Sequence, residues 1–223
     1  MKDKNITYNN QTAVINLPHH KYADRVLRSN SYEELFWRFK DAESPIKEVT
    51  ESYAALSNLK KICIISNANW LHIGDGAHTR TAAIFAFFSK ENNNFSIDPA
   101  LNIEKFDAWQ KRYNVSGIIP VKKKFQDFSH RDMCELLNTS FIPTYNICCV
   151  HAHVKVEEVD KQFPYWTYFY TNICCLPAQQ SFSEAYMKEH NIVEILRKQD
   201  MGILSHQREV IIYKKLKGNN PHE

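Results

Sequence analysis

In the first quarter of the chain the apolar residues recur at helical spacing, whereas further along they form short continuous runs. From Lys21 to Leu59 they recur three and four positions apart, which predicts helices that pack on a later sheet. Ser31, followed three positions later by Glu34, indicates a helix start, and Pro45 indicates a break before another helix. Residues 1–60 are therefore interpreted as an N-terminal helical extension.

Beyond residue 61 the apolar residues form short uninterrupted runs separated by polar turns. Such runs are typical of strands that are buried on both faces of a central, mostly parallel sheet. The predicted strands are one or both of Ile62–Ile65 and Trp70–Ile73, then Phe95–Ile97, Gly117–Val121, Tyr145–Val150, Phe169–Leu176 and Glu209–Tyr213. The predicted helices are Thr79–Phe88, Ile103–Tyr113, Asp132–Leu137 with an N-cap near Ser129, and Ser183–Arg197.

Alternation of strands and helices predicts an α/β fold with a doubly wound, mostly parallel, Rossmann-like sheet over residues 61–216. The helical extension precedes this domain, and residues 217–223 form a polar tail. Met1 to Gln11 is also polar, and we expect both ends of the chain to be mobile.

Charge and cysteine content narrow the class of protein. The 28 basic and 25 acidic residues give a formal net charge of +3, which does not by itself indicate nucleic acid. The one dense basic run, Lys122 to Lys124, is interpreted as a solvated strand end or, alternatively, as a phosphate contact. Four of the six cysteines form two adjacent pairs, Cys148-Cys149 and Cys174-Cys175.

Adjacent strand residues point to opposite faces, so neither cysteine pair readily presents two ligands to one metal. We therefore expect reduced core cysteines and no metal site, as suits a cytoplasmic protein. No apolar run reaches the length of about 18 residues that a transmembrane helix requires, so we expect a soluble protein.

A glycine turn is the most informative local feature. Two of the five glycines, Gly74 and Gly76, flank Asp75 between a predicted strand and a predicted helix. Glycine accepts positive φ and lets the backbone approach a ligand closely, and open α/β sheets bind ligands beside such turns. Asp98 ends the next strand, where an acidic residue accepts hydrogen bonds from ribose hydroxyls. The alternative is a tight turn without a ligand, in which Asp98 caps a helix.

The residues after the turn refine the kind of ligand. Thr79 can cap the following helix, and it stands where a dinucleotide fingerprint would have its third glycine. The Gly-Lys-Ser/Thr of a P-loop is also absent. Arg80 opposes the helix dipole, so we expect it to pair with an anion, either Asp75, Asp98 or a ligand carboxylate or phosphate.

The segment Trp70-Leu-His-Ile-Gly-Asp-Gly-Ala-His-Thr-Arg80, with Phe95-Ser-Ile-Asp-Pro99, resembles the cofactor half of class I S-adenosylmethionine-dependent methyltransferases. In particular it is similar to the poxvirus-type cap 2'-O-methyltransferases. The resemblance implies S-adenosylmethionine as cofactor and RNA as one candidate acceptor, the other being a small molecule. The cofactor-binding residues it implies are Gly74, Asp75, Gly76, Thr79, Arg80, Asp98 and Asp127, with Asp98 on the ribose and residues 125–127 near adenine.

The sequence departs from this family at the strand that should carry catalysis. Cap enzymes of this type use a Lys-Asp-Lys-Glu set with the Asp just beyond the fourth strand, whereas here Val150 is followed by His151, Ala152 and His153. The two histidines share a face if the strand continues, and histidine titrates near neutrality, so both are candidate catalytic or substrate-binding residues. Metal binding and a structural role are the alternatives.

Three functions therefore remain open at the level of sequence. The first is a methyltransferase-like protein that binds S-adenosylmethionine and acts on an unknown substrate. The second is a catalytically inactive descendant of that fold that serves as a binding or scaffold protein. The third is another nucleotide-binding enzyme, in which Arg80 and the lysine run hold phosphate.

Overall fold

Nine strands and eight helices make up the regular structure in the computed structural model, which describes residues 5–8, 11–14, 21–63, 68–89, 92–173 and 177–216. The strands are β1 (Asn5–Tyr8), β2 (Gln11–Val14), β3 (Asn69–Ile73), β4 (Asn93–Ile97), β5 (Ile118–Val121), β6 (Tyr145–Val150), β7 (Trp166–Asn172), β8 (Ile192–Gln199) and β9 (Glu209–Lys215). The helices are α1 (Lys21–Leu27), α2 (Tyr32–Phe39), α3 (Pro45–Leu59), α4 (Arg80–Phe88), α5 (Ile103–Tyr113), α6 (His130–Leu137), α7 (Val156–Gln162) and α8 (Glu184–Glu189).

Seven of these strands form one sheet in the order β5-β4-β3-β6-β7-β9-β8. Strands β3 to β7 are parallel, and β9 pairs antiparallel with both β7 and β8. The chain moves from β3 towards one edge through β4 and β5, and then returns to the other side of β3 as β6. The crevice at the carboxyl ends of β3 and β6 is therefore the topological switch point, where open α/β sheets bind ligands.

Both faces of the sheet are covered by helices, which confirms the predicted doubly wound α/β class. Helices α1 to α5 bury their apolar side chains on one face, and α6 to α8 do so on the other. Along β6, Cys148 and Val150 belong to the first core, whereas Ile147 and Cys149 belong to the second. The adjacent cysteines thus point to opposite faces, as predicted, and burial raises the pKa of both thiols.

The described parts of the chain include four free cysteines, and not all of them are core residues. Cys148 and Cys149 are buried, but Cys63 and Cys134 are only half-buried. The other predicted pair, Cys174 and Cys175, lies outside the described residues. Among the described residues, no group of three or more His, Cys, Asp or Glu side chains is arranged to hold a metal ion.

Several predicted elements need correction. The predicted helix Ser183–Arg197 is wrong beyond Glu189, because Asn191 adopts φ of +55° and residues from Ile192 onwards pair with β9 as an edge strand. The strands β1 and β2, which the sequence pattern did not predict, pair antiparallel with each other.

Two predicted strands have different limits in the structure. The strand predicted at Phe169–Leu176 begins earlier, at Trp166, and ends at Asn172; residues 174–176 lie outside the described part. Of the run Ile62–Ile65, Ile62 and Cys63 lie in the turn after α3, and the other two residues are not described. Helix α7 was not predicted, since Val156 and Val159 are too few apolar positions to indicate it from sequence.

The predicted helix N-caps are confirmed only in part. Ser129 caps α6 in a capping box with Asp132, as predicted. Ser31 precedes α2 but makes no side-chain cap hydrogen bond.

None of the helices in the described ranges is long and apolar enough to cross a membrane, and the longest of them, α3, has 15 residues.

A buried carboxylate ties the N-terminal helices to the sheet. Asp200, which follows β8, accepts hydrogen bonds from Tyr22 Oη of α1 and Asn58 Nδ2 of α3, each at 2.7 Å, and from the Gly202 amide at 3.0 Å. Burial would raise the pKa of Asp200, but the hydrogen bonds from Asn58 and Tyr22 outweigh it and hold the pKa below the ordinary value of 3.8. The ionised carboxylate therefore stabilises the packing of the helices on the sheet.

We predict that Tyr22→Phe lowers the free energy of unfolding at pH 7 by about 2 kcal/mol, because it removes a hydrogen bond to a charged acceptor. A depressed native pKa stabilises the fold above the unfolded-state value and ceases to do so as pH falls through the native value. Urea titrations at pH 7 and pH 3 should therefore show a smaller loss in acid. An equal loss in the Asp200→Asn background would show that the two side chains do not interact.

Candidate functional site

Two cavities meet at Gly74 in the crevice between the ends of β3 and β6. The larger, of about 410 Å³, lies on the β4 side and is lined by Ile97, Asp98, residues 124–126 and residues 153–155 among others. The smaller, of about 250 Å³, lies on the α3 side, and its charged lining residues are Lys47, Glu48, Glu51, Asp75, Arg80 and His151. Gly74 lines both cavities, which therefore adjoin each other at this residue.

Both glycines of the turn have backbone conformations that side chains disfavour. Gly74 has φ of +69° and Gly76 has φ of +70°. Their surroundings differ, because a Cβ on Gly74 would lie 2.9 Å from Ala152 Cβ, whereas a Cβ on Gly76 would meet nothing within 4 Å. Gly74 is therefore required by packing against the β6–α7 connection, and Gly76 leaves open space beside the smaller cavity.

Asp75 holds the turn in place rather than pointing freely at a ligand. Its Oδ1 accepts from the Thr81 amide at 2.7 Å, and its Oδ2 accepts from the Ala82 amide at 3.1 Å and from Ser96 Oγ at 2.8 Å. The carboxylate thus satisfies two free amides at the N-terminus of α4, where negative charge also favours the helix dipole. Its contact with Ser96 joins β3, α4 and β4 at one point.

Thr79 and Arg38 hold the end of the turn that leads into α4. Thr79 occupies the N-cap position of α4, as predicted, but its φ is +49° and its side chain makes no cap hydrogen bond. Its Oγ1 instead accepts from Arg38 Nη2 at 2.8 Å, while Arg38 Nε donates to the His78 carbonyl at 2.8 Å. Burial lowers the pKa of Arg38 to about 10, and the charge of Asp75 works in the opposite direction. The guanidinium therefore stays charged at neutral pH.

Asp98 lies at the rim of the larger cavity with hydrogen-bonding capacity to spare. Its Oδ2 accepts from the Gly76 amide at 3.0 Å, and its Oδ1 accepts from the Ala100 amide at 2.7 Å. Each carboxylate oxygen can accept two hydrogen bonds, so each retains a position for a ligand hydroxyl. Asp98 does not cap the next helix, because Asn102 does so.

The smaller cavity contains an ion pair and a close contact between a histidine and a carboxylate. Arg80 Nη1 contacts Glu48 Oε2, so the expected anion partner is a carboxylate of α3 rather than Asp75 or Asp98. His151 Nε2 lies 2.5 Å from Oε1 of Glu51, whose side chain is only 1% exposed. Burial raises the pKa of Glu48, and Arg80 counters this effect. The cavity therefore presents both signs of charge within a small volume.

The two candidate catalytic histidines lie on different sides of the crevice. Strand β6 ends at Val150, and His151 adopts φ of +53°, so the alternation that would have placed His151 and His153 on one face does not continue. His151 lines the smaller cavity, and His153, which is exposed, lines the larger one. The expectation of a shared face is wrong for this reason.

Asp127 does not join the other predicted cofactor residues. It is exposed on a short 3₁₀ turn, and the neighbouring Lys124, Phe125 and Gln126 line the larger cavity instead. Within the predicted basic run, Lys123 pairs with Asp132 at 2.8 Å. Of that run, Lys124 lines the larger cavity.

Sequence reasoning missed the contribution of the N-terminal helices. Arg38 of α2 braces the glycine turn, and Glu48 and Glu51 of α3 line the smaller cavity. One signal did point to them, since Arg80 required an anion at a helix N-terminus. The sequence could not show which of its many acidic residues supplies that anion.

Comparison with known proteins gives matches to solved structures. No protein-family model matches the chain, and no curated protein matches it. A candidate RNA methyltransferase from Pyrococcus horikoshii has a TM-score of 0.52 at 11% identity, with 91% of this chain and 100% of that chain covered. A mutant of MtNAS in complex with S-adenosylmethionine has a TM-score of 0.52 at 12% identity, with 88% and 71% covered.

The chain has a Rossmann-like methyltransferase fold. A second MtNAS structure, in complex with MTA and tNA, has the same TM-score of 0.52 at 11% identity and covers 89% of this chain and 70% of that one. At these identities the likeness concerns the arrangement of strands and helices. The functional meaning of the crevice therefore depends on the residues of this chain.

We predict that Gly74→Ala destabilises the protein more than Gly76→Ala does. Both changes place a side chain at positive φ, which costs about 1–2 kcal/mol, but only the first also forces a Cβ against Ala152. Thermal unfolding of the two variants measures the difference. Equal melting temperatures would contradict the close packing of Gly74 on the β6–α7 connection.

Proposed function

We propose that this protein binds S-adenosylmethionine in the two cavities that meet at Gly74, and that it is methyltransferase-like in function. One observation carries the proposal. At one end of the crevice the Asp98 carboxylate has free acceptor positions, and at the other end lies a cavity with both positive and negative charges. S-adenosylmethionine has the matching polarity, because it carries ribose hydroxyls at one end and an amino acid group at the other. The complex of MtNAS with S-adenosylmethionine supports the choice of ligand.

The adenosine end would occupy the larger cavity. Asp98 would accept hydrogen bonds from the ribose hydroxyls through the acceptor positions that Gly76 and Ala100 leave open. Ile97 and Phe125 supply apolar surface to the same cavity, which suits the faces of a purine ring. A volume of about 410 Å³ is within the range of small-molecule sites.

The methionine end would occupy the smaller cavity. Its α-carboxylate would contact Arg80, and its α-ammonium group would contact Glu51, each charge facing its opposite. Arg80 is already held by Glu48, so the guanidinium is oriented before the ligand arrives. Gly76 would allow the backbone to approach this part of the ligand.

Methyl transfer would take place over Gly74, between the two cavities. The cofactor would supply a methyl group on a positively charged sulfur, and the protein would hold the acceptor in line with it, which can provide much of the rate. His153 is exposed at the crevice and is the better candidate to take a proton from the acceptor. His151 contacts Glu51, so we assign it to holding the crevice rather than to proton transfer.

A second candidate, binding without turnover, is favoured by one observation. The end of β6 carries His151 and His153 where the cap-type enzymes have an acid, and His151 is engaged by Glu51. Transfer of a labelled methyl group to RNA or to small molecules from a cell extract would separate an enzyme from a binding protein. The narrower likeness to poxvirus-type cap 2'-O-methyltransferases stays a hypothesis, which an assay on capped RNA tests.

We predict that Asp98→Ala weakens the binding of S-adenosylmethionine about 100-fold, because two hydrogen bonds to a charged acceptor are lost. Isothermal titration calorimetry with S-adenosylmethionine and its demethylated product measures this effect. Asp127→Ala is the matched control, since it removes an exposed carboxylate that does not line the cavity, and the affinity of this variant should stay within twofold of the parent.

Titration of the parent protein with NAD and ATP completes that experiment. Tighter binding of either one would favour another nucleotide-binding enzyme over the present proposal. Unchanged affinity in Asp98→Ala would show that the ribose does not lie at Asp98. Absence of binding by all four compounds would contradict both nucleoside-based functions.

A further inference from the structure

A basic and aromatic groove lies between α2 and α5, outside the proposed cofactor cavities. This surface, the α2–α5 groove, has a volume of about 300 Å³ and is lined by the aromatic residues Trp37, Trp109 and Tyr113. Its basic lining residues, apart from the buried Arg38, are the half-buried Lys40 and the exposed Lys105 and Arg112. On α5, Lys105, Trp109 and Arg112 are three and four positions apart, so they share one helix face. The proposed cofactor does not account for this grouping.

The charge of the groove is strongly one-sided. Arg38, Lys40, Lys105 and Arg112 contribute four positive charges, and the only acidic lining residue is Asp41. Asp41 pairs with Lys105 at 3.3 Å. Within the described part of the chain, neither Lys40 nor Arg112 has a carboxylate within 4.0 Å. These two cations are therefore available to an anionic partner.

Aromatic rings lie directly beneath the cations. Lys40 Nζ is 3.7 Å from the centre of the Trp37 ring, and Arg112 Cζ is 5.0 Å from the same centre and 5.3 Å from that of Tyr113. Trp37 and Tyr113 are half-buried, so part of each ring is open to solvent. A base that stacks on either ring would take the place of the cation now over it, and that cation would then contact the neighbouring phosphate.

The pKa of His78, which also lines the groove, reflects the same positive environment. Burial lowers its pKa, and Arg80, Arg38 and Lys105 lower it further, whereas Asp41 alone acts to raise it. His78 lies two residues after Gly76, so the groove adjoins the turn that borders the smaller cavity.

We propose that the α2–α5 groove binds a single-stranded nucleic acid, with Lys40 and Arg112 contacting phosphates and Trp37 and Tyr113 stacking on bases. An acidic peptide would satisfy the cations but would leave the rings without flat partners. The binding does not depend on the proposed cofactor. If the cofactor binds where we propose, a strand held in the groove would pass beside the crevice as an acceptor for methylation.

Fluorescence anisotropy of labelled 12-nucleotide single strands tests the proposal in the absence of any cofactor. The variant Lys40→Gln/Arg112→Gln should bind about tenfold more weakly near 0.1 M salt, and its slope of log K against log salt should be shallower by about 1.4, as expected for two lost phosphate contacts. The conservative variant Lys40→Arg/Arg112→Lys keeps both charges and should bind within threefold of the parent.

Lys111→Gln/Lys122→Gln is the control of equal charge, because Lys111 is on α5 but outside the groove and Lys122 belongs to the basic run. It should bind within twofold of the parent. Equal weakening in both pairs, or none in the groove pair, would overturn the proposal. So would a 12-base-pair duplex or a polyglutamate peptide of matched charge that binds as tightly as the single strands. RNA and DNA single strands are both tested, and binding of either one supports the groove.

Discussion

The crevice depends on one buried interaction, the bonding of the Asp75 carboxylate to α4 and β4. Its oxygens take hydrogen bonds from the amides of Thr81 and Ala82 and from the hydroxyl of Ser96. A buried carboxylate is costly unless such donors surround it, so the turn, the helix and the neighbouring strand adopt their positions together. That constraint gives Gly76 its position and brings its amide to Asp98.

The N-terminal helices complete the site rather than simply covering the sheet. Arg38 holds the end of the glycine turn from α2, and Glu48 and Glu51 bring negative charge from α3 to the smaller cavity. The same helices are fastened to the sheet through Asp200. Binding of the proposed cofactor would therefore be coupled to the packing of the helical extension, since loosening α3 would remove one wall of the cavity. The α2–α5 groove lies on the outer surface of the helices that cover this face of the sheet.

Much of this fold could be predicted from the sequence because its central strands are continuous apolar runs. The limits of β6 at Tyr145 and Val150 follow directly from that pattern. The edge strand β8 could not be predicted, because its partly polar sequence becomes a strand only through pairing with β9. Spacing in the sequence singled out Gly74, Gly76 and Asp98, and the structure places all three at the crevice. The partners of Arg80 and His151 could not be predicted, since they come from α3 and lie 32 and 100 residues away in sequence.

The most direct test of the account is a crystal structure with S-adenosylhomocysteine, the demethylated product. The account predicts the ribose hydroxyls within hydrogen-bonding distance of Asp98, the adenine beside Phe125, and the amino acid group beside Arg80 and Glu51. Adenosine bound elsewhere, or a ligand that leaves the crevice over Gly74 empty, would contradict the assignment of this crevice as the cofactor site.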